Sequence, residues 1–480
     1  VEVAKRVAKN TLYKTATLVV GNISGLFLAI ALARILKPEQ FGIYSLALSI
    51  CMLAIALANL GVDGAVVRYT AFHIGKDNLK KVRGHFRYFL RVKLILSLAV
   101  SVVLVVLSGH LASFFGDERL TLLLVFAGFV VFSASLTNFF KAFFRGLQDF
   151  KYNFVGQTIY EFSRWLFVLP LAYVFLSVGA LFGYILAYVI SFMVLLVILV
   201  RKYGDFVFGK AEKADEKVVT FMGFMTIARI SGIIYVYVDS IMIGYLLTTT
   251  DVGYYRAAYT IVFAIVGLLT MADVLLPVFT QLDGRDLKNA INRIAKYTSA
   301  IAFPAAFGLA YLSPGVIKVV YGAEYLSASL PLSILSLVLI PASFNYLLTI
   351  FNAKERPEYS AYIISVSMLL NVVLNYVLIK LVGISGAALA TSISRAFTIM
   401  FAVYLLYRVF DLKVPAKVYF KPMVCSLLML FLLTLLPIPG SLVTSILEIA
   451  IAVLFYFTIL FAVKGLSMED IRYLINLFKS

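Results

Sequence analysis

Residues 12–36 read LYKTATLVVGNISGLFLAIALARIL. From Thr15 to Ala33 this stretch has no charged residue, and only Asn22 and a few hydroxyls interrupt its apolar run. A helix rises about 1.5 Å per residue, so about twenty such residues cross the ~30 Å hydrocarbon core of a bilayer. The stretch predicts a membrane-spanning helix. It is too long for a cleaved signal, and no small-residue cleavage site precedes the next apolar run. A second reading comes from its middle. Ile23-Ser24-Gly25 returns as Ile230-Ser231-Gly232, 207 residues later.

Outward from it lie thirteen more apolar runs: 41–66, 88–115, 120–143, 153–176, 178–200, 218–247, 252–281, 294–313, 328–352, 359–381, 384–408, 418–437 and 442–463. The expectation is an all-α integral membrane protein of fourteen transmembrane helices. Composition agrees, with 62% hydrophobic and 14% charged residues. Soluble domains are about half apolar and about a quarter charged. The net charge of +18 would suggest nucleic acid in a soluble chain. Here the basic residues sit in gaps between apolar runs, as in cytoplasmic membrane loops, and nucleic acid is set aside. With the N-terminus in the cytoplasm, the outer loops carry only Lys37, Arg119, Lys318 and Lys380. The inner segments hold most of the rest, Lys76, Lys80, Lys81, Arg83, Arg87, Arg91 and Lys93 among them. This places both termini in the cytoplasm of a multi-pass cell-membrane protein.

The repeat continues beyond its first match. Gly179-Ala180 matches Gly386-Ala387, again at offset 207. Gly42-Ile43-Tyr44 matches Gly253-Tyr254-Tyr255 at 211, and Gly75-Lys76-Asp77 matches Gly284-Arg285-Asp286 at 209. Six helices per repeat is an even number, so both halves enter the membrane in the same direction. The chain then divides into a lobe over 1–203, a cytoplasmic linker over 204–217, a second lobe over 218–410, two extra helices over 411–465, and a tail over 466–480. In the tail, Ile471, Leu474, Ile475 and Phe478 follow helical spacing. They predict an amphipathic helix on the inner membrane face, or one packed on the bundle.

Catalytic and metal chemistry is absent from the motifs. There is no Walker A, HExxH, GxSxG or zinc-spaced Cys/His pattern. Cys51 and Cys425 lie in apolar runs, and the three histidines are scattered. No enzyme, cofactor or metal site is expected. The informative residues are charges inside spans, which are costly and usually face a bundle interior or a wet cavity. Arg229 and Arg395 each fall near mid-span with no obvious acid on their own helix. Asn22 is the repeat partner of Arg229. Glu161 and Arg164 share a helix face, as a neutralising pair or as part of a site. If Arg164, Arg229, Arg395 and Asn22 face one cavity, it suits a phosphate or pyrophosphate, which arginine grips with a planar fork. Asp239, Arg34, Arg256 and Asp63 lie toward span ends and, with Glu161, are candidates for gating or ion coupling. Arg34, Arg68 and Arg256 can instead snorkel to headgroups. Asn371 and Asn375 share a face that joins helices.

Several stretches resemble one known family. They are Gly21-Asn22-Ile23-Ser24-Gly25 and Ala33-Arg34-Ile35-Leu36-Lys37-Pro38-Glu39-Gln40-Phe41-Gly42-Ile43-Tyr44. Leu60-Gly61-Val62-Asp63-Gly64-Ala65-Val66-Val67-Arg68-Tyr69 and Phe143-Phe144-Arg145-Gly146-Leu147-Gln148 extend the likeness. Together they resemble the polysaccharide transporter family, the Wzx-type oligosaccharide flippases. That resemblance implies two six-helix lobes plus two helices, alternating access and a cationic central cavity. It implies a cargo of oligosaccharide linked to a polyprenyl phosphate or pyrophosphate, moved from the inner to the outer leaflet. Expected partners are the cargo, membrane lipids and a coupling ion, Na+ or H+, with the protein a monomer. Two relatives share this fold in expectation: multidrug exporters of the MATE type and lipid II flippases. The former often carry an acid in the first span, which has none here. The latter usually cluster charge there, where only Arg34 appears, near its outer end.

Overall fold

The computed structural model describes residues 2–212, 218–270, 272–436, 442–468 and 470. The tail helix expected over 466–480 falls mostly outside them. All long elements among the described residues are helices, the form in which a segment in lipid satisfies its own backbone. They are α1 (Glu2–Leu57), α2 (Val62–Ile74), α3 (Leu79–Val106), α4 (Ser108–Phe115), α5 (Leu120–Gly146), α6 (Phe150–Phe208), α7 (Val218–Leu246), α8 (Thr249–Leu269) and α9 (Ala272–Gln281). The chain continues with α10 (Gly284–Val320), α11 (Ser329–Ser336), α12 (Leu339–Ala342), α13 (Tyr346–Ala353), α14 (Pro357–Val382), α15 (Ile384–Phe410), α16 (Ala416–Thr434) and α17 (Leu442–Ala462). Among the described residues, 10 helices are long and apolar enough to cross a membrane. The number is 11 if the pair Ala323–Ser336 and Leu339–Ala353, bent by 44°, is one span. The protein is a multi-pass, all-helical membrane protein.

Two of the long helices are interrupted. In α1 the break is at Lys37, with φ 62° and ψ 167°. Pro38 follows, and proline disfavours helical geometry in the residue before it. In α6 the break is at Leu176, with φ 54° and ψ −137°. The same turn recurs between α14 and α15 at Gly383, with φ 64° and ψ −143°. The two positions are 207 residues apart. Each is followed three residues later by a glycine on which a Cβ would meet a carbonyl: Leu171 O at 2.0 Å for Gly179, Leu378 O at 2.0 Å for Gly386.

The chain forms two compact units, Val1–Arg256 and Ala257–Ser480. In the first, Val66, Phe86, Phe89, Phe139, Phe143 and Leu195 pack α2, α3, α5 and α6 together. Close backbone approach also fixes this unit. A Cβ on Gly42 of α1 would lie 1.8 Å from Thr249 O, and one on Gly253 of α8 would lie 2.2 Å from Pro38 O. The contact is reciprocal, with 38 and 42 facing 249 and 253, and only glycine leaves room for it.

One expectation is corrected here. Lys93 is not a loop cation. It lies inside α3, 1% exposed, 2.9 Å from Asp63, whose side chain is 5% exposed. The ammonium also donates to Asn59 Oδ1 at 3.1 Å. The helix breaks between α1 and α2, where Gly61 adopts φ 75°, and this brings Asn59 and Asp63 round to the same cation. A charge taken from water needs such partners. Asp63 is therefore an ion-pair residue in the packed interior.

In the second unit, Met429 and Leu433 of α16 and Tyr456 and Leu460 of α17 form a core with Ala300 and Leu312 of α10. A cavity of about 310 Å³ beside it is lined by Pro304, Gly308, Met429, Ala452, Tyr456 and Phe457, among others. Asn375 donates to Asn371 at 3.1 Å, and Asn371 donates to Ser394 at 3.2 Å, which joins α14 to α15. Near the chain end, Asp470 accepts from Ser467 and Lys296. Burial opposes its ionisation, yet these donors hold its carboxyl down to about 2.

Asp63→Ala should leave Lys93 buried without its counter-charge and cost about 3–5 kcal/mol. The double variant Asp63→Leu, Lys93→Met should recover most of that. Thermal melting in detergent reads both, and equal losses in the two proteins would contradict the pairing. At the breaks, a leucine in left-handed geometry stores about 1–3 kcal/mol. Leu176→Gly should therefore raise the melting temperature and Gly383→Leu should lower it.

Candidate functional site: a buried cationic network

Along α6, Gln157, Glu161, Arg164 and Trp165 fall at i, i+4, i+7 and i+8, on one helix face. Opposite them α1 presents Gly21, Ser24 and Gly25. A Cβ on Gly21 would sit 3.3 Å from Gln157 Nε2, and one on Gly25 3.8 Å from Arg164 Nη2. Small residues here let the polar face of α6 lie close to α1. From α5, Lys141 reaches in from the side.

These side chains form one chain of hydrogen bonds. Lys141 Nζ donates to Gln157 Oε1 at 2.8 Å. Gln157 Nε2 donates to Glu161 Oε1 at 2.7 Å. Glu161 Oε2 accepts from Ser24 Oγ at 2.6 Å and pairs with Arg164 Nη2. Trp165 Nε1 donates to Ser24 Oγ at 2.9 Å. An aromatic wall surrounds the cations. The Arg164 guanidinium stands 5.2 Å from the Tyr160 ring centre and 5.8 Å from that of Tyr184. The Lys141 ammonium lies 5.1 Å from Tyr160. Tyr160 stacks on Tyr188 at 4.4 Å, and Tyr44 donates to Tyr184 at 3.1 Å.

Lys141, Glu161 and Arg164 are all buried, at 8%, 5% and 8% exposure. Arg164 pairs with the carboxylate directly, and Lys141 reaches it only through Gln157. Arg164 Nε is buried and has no hydrogen-bond partner among the described residues. Buried donors are nearly always satisfied, so an exception calls for a reason. An unused donor edge on an arginine, with a second basic side chain close by, suits an anion.

The other candidate residues lie elsewhere. Asn22 and Arg34 are exposed on α1. Asp239 is buried in α7 and accepts from Tyr255 Oη. The Arg256 guanidinium stands 5.4 Å from the Tyr237 ring centre. In the second unit, Arg395 is half-buried with its guanidinium 5.3 Å from the Phe263 ring centre. Arg229 is carried by α7, and its side chain is outside the described residues. Sequence reasoning missed Lys141, Gln157, Ser24 and Trp165 as partners of Glu161 and Arg164. Lys141 lies near the end of the apolar run 120–143, and α5 continues past it to Gly146. The helical spacing of 157, 161, 164 and 165 was the available signal. Among the described residues no group of three or more His, Cys, Asp or Glu could hold a metal ion.

Residues 7–283, more than half of the chain, match the sequence profile of a family described as "Polysaccharide biosynthesis protein". An uncharacterized membrane protein of Methanocaldococcus jannaschii is 23% identical over 416 residues, 79% of this chain and 81% of that protein. A Haloferax volcanii protein named "Probable low-salt glycan biosynthesis flippase Agl15" is 31% identical over 202 residues, 40% of this chain and 42% of that one. Among solved structures, the lipid II flippase MurJ in an inward closed conformation is similar in fold. Its TM-score is 0.76 at 17% identity, over 94% of this chain and 98% of that one.

Trp165 is the single tryptophan of the chain, so its emission reports on this network alone. Ser24→Ala should remove the indole's acceptor and shift emission to the blue, without changing the helical circular dichroism. An unchanged spectrum would place Trp165 outside the hydrogen-bonded chain.

Proposed function

The chain belongs to the polysaccharide biosynthesis protein family, and we propose that it is a flippase for lipid-linked oligosaccharide. The cargo is a glycan on a polyprenyl phosphate or pyrophosphate, carried from the inner to the outer leaflet by alternating access. One observation carries this reading: in the buried network of Lys141, Glu161 and Arg164, the arginine keeps a donor edge without a partner among the described residues, with a second basic side chain close by. In a low-dielectric interior such an arginine attracts anions and repels cations strongly. A phosphate satisfies it, and a cationic drug of the MATE type does not. A lipid II flippase has the same kind of head group, and the MurJ-like fold keeps that cargo as the second reading. The apolar cavity lined by Gly308, Met429, Tyr456 and Phe457 is suited to a hydrocarbon chain. No catalytic step is invoked, because flipping makes and breaks no covalent bond of the cargo.

The finer architecture follows the same reading. Counting α1 and α6 as two spans each across Lys37 and Leu176, the bent pair as one and α7 as one gives fourteen. Two six-helix lobes over 1–203 and 218–410, joined through 204–217, are supported by the matched turns at Leu176 and Gly383. The reciprocal glycine contact at Gly42 and Gly253 points the same way. Both termini lie in the cytoplasm by the distribution of Lys and Arg. Asn22 on α1 and Arg229 on α7 are further phosphate-site candidates beside Arg164; Asp239, Arg34 and Arg256 are candidates for gating; and Arg395 is a candidate within the second unit. The protein works as a monomer.

Flipping of a fluorescent polyprenyl-pyrophosphate glycan in liposomes tests this reading. Arg164→Lys keeps the charge that neutralises Glu161 but loses the fork, and should slow flipping roughly tenfold, the worth of about one hydrogen bond. Arg229→Ala should insert normally and abolish flipping. Full activity in either variant removes that arginine from the site, and equal flipping of a phosphate-free glycolipid contradicts the cargo assignment.

A further inference from the structure

Two cavities in the second unit meet at the turn that joins α15 to α16. The first, of about 560 Å³, is lined by Asn292, Arg293 and Lys296 of α10, by Val414, Pro415 and Lys417, and by Asp470. The second, of about 540 Å³, is lined by Phe344, Val403, Tyr407, Leu412 and Tyr419, with Lys413 as its one charged residue. Val414 and Ala416 belong to both linings, so a polar space adjoins an apolar one. In the apolar space Tyr419 stacks on Phe344 with ring centres 4.1 Å apart, and its hydroxyl is bonded to that of Tyr346 at 2.9 Å. In the polar space Asp470 pairs with Lys296 and accepts from Ser467 Oγ at 2.7 Å and Tyr297 Oη at 3.2 Å. The lining still holds two more basic residues, Arg293 and Lys417, and no second acid among the described residues. The first turn of α16 stands in the same wall, and the N-terminal end of a helix carries positive partial charge. Neither cavity contains a residue of the α6 network.

We propose that the two cavities together bind one anionic phospholipid of the surrounding membrane, its phosphodiester in the basic space and an acyl chain in the aromatic one. The chemistry is complementary at both ends. A phosphodiester carries a permanent negative charge and accepts charge-assisted hydrogen bonds from arginine and lysine. Basic pockets between membrane helices take such head groups. A zwitterionic lipid brings its own cation into the space, where Arg293 and Lys417 repel it. A free phosphate fills only the first cavity, and a hydrocarbon chain fills only the second. The shared wall at Val414 and Ala416 selects a molecule in which the two are joined. Arg293 is carried by α10 and Lys417 by α16, so a phosphate held by both ties these helices at one end. Further along, Met429 and Leu433 of α16 already pack with Ala300 and Leu312 of α10. The bound lipid therefore stabilises the second unit, whatever the cargo.

Titration calorimetry on the full-length protein in detergent tests this, with dioctanoyl phosphatidylglycerol as the probe. The wild type should bind it at one site and bind dioctanoyl phosphatidylcholine more weakly. Glycerophosphoglycerol, the head group without chains, should also bind more weakly than the lipid. Arg293→Gln with Lys417→Gln should weaken phosphatidylglycerol binding roughly thirtyfold, about a factor of five per basic residue. Arg285→Gln with Lys288→Gln removes the same charge from α10 outside the cavity and should leave binding nearly unchanged. All four residues are exposed, and both variants keep the pair of Lys296 with Asp470. Phosphatidylglycerol should raise the melting temperature of the wild type more than that of the cavity variant. Equal losses in the two double variants reduce the effect to diffuse surface charge and overturn the proposal. So does phosphatidylcholine, or the chain-free head group, binding as tightly as phosphatidylglycerol. Displacement of phosphatidylglycerol by equimolar farnesyl pyrophosphate gives the cavities to the cargo and also overturns it. If the cavity variant does not fold, the ranking of the probes on the wild type decides.

Discussion

Water is missing from the middle of a bilayer, and nearly every feature of this protein answers to that. A backbone amide there has no partner but another backbone group, so the chain runs in long helices. A charge there has no partner but another side chain. Asp63 and Lys93 balance each other's charge, with Asn59 Oδ1 as a third member. The α6 network leaves a charged donor open. Arg164 pairs with Glu161, Lys141 reaches it only through Gln157, and Arg164 Nε has no partner among the described residues. The contrast between a balanced pair and an arginine with an unused edge separates structure from site.

The fold was legible because hydropathy is a long-range signal. Twenty apolar residues in a row admit few interpretations, and the run at 12–36 was enough to set the class. The repeat was legible for a related reason. Gly179 and Gly386 cannot be exchanged for other residues, since a Cβ on either would collide with a carbonyl eight residues back, across the break. The break at Leu176 was not legible, because leucine carries no signal for positive φ. Only its partner, Gly383, has the residue type that such a turn favours. Lys93 was misplaced because a lysine near the end of an apolar run looks like a loop residue, and only the helix that continues past it shows otherwise.

The site was half legible. Glu161 and Arg164, three residues apart, were visible as a pair, and whether they neutralise each other was left open. They do pair, but within a larger cluster that Lys141 joins through Gln157. Ser24 and Gln157 have no charge to draw attention, and they became visible only through the approach of α1 to α6. Arg395 stands in the second unit against Phe263, and Arg229 is known only by its place on α7. In this account the pairing of Arg164 with Glu161 is not an alternative to a binding role. A counter-ion that can be displaced lets the empty protein keep its cation in a dry interior at low cost.

The central claim is that the unshared edge of Arg164 receives a phosphate. A structure of the protein loaded with a pyrophosphate-bearing polyprenyl lipid tests it most directly. The expected result is a phosphate oxygen about 2.7–2.9 Å from Arg164 Nε, the distance of a charge-assisted hydrogen bond. A bound lipid whose phosphates lie elsewhere, with Arg164 still held only by Glu161, would contradict it.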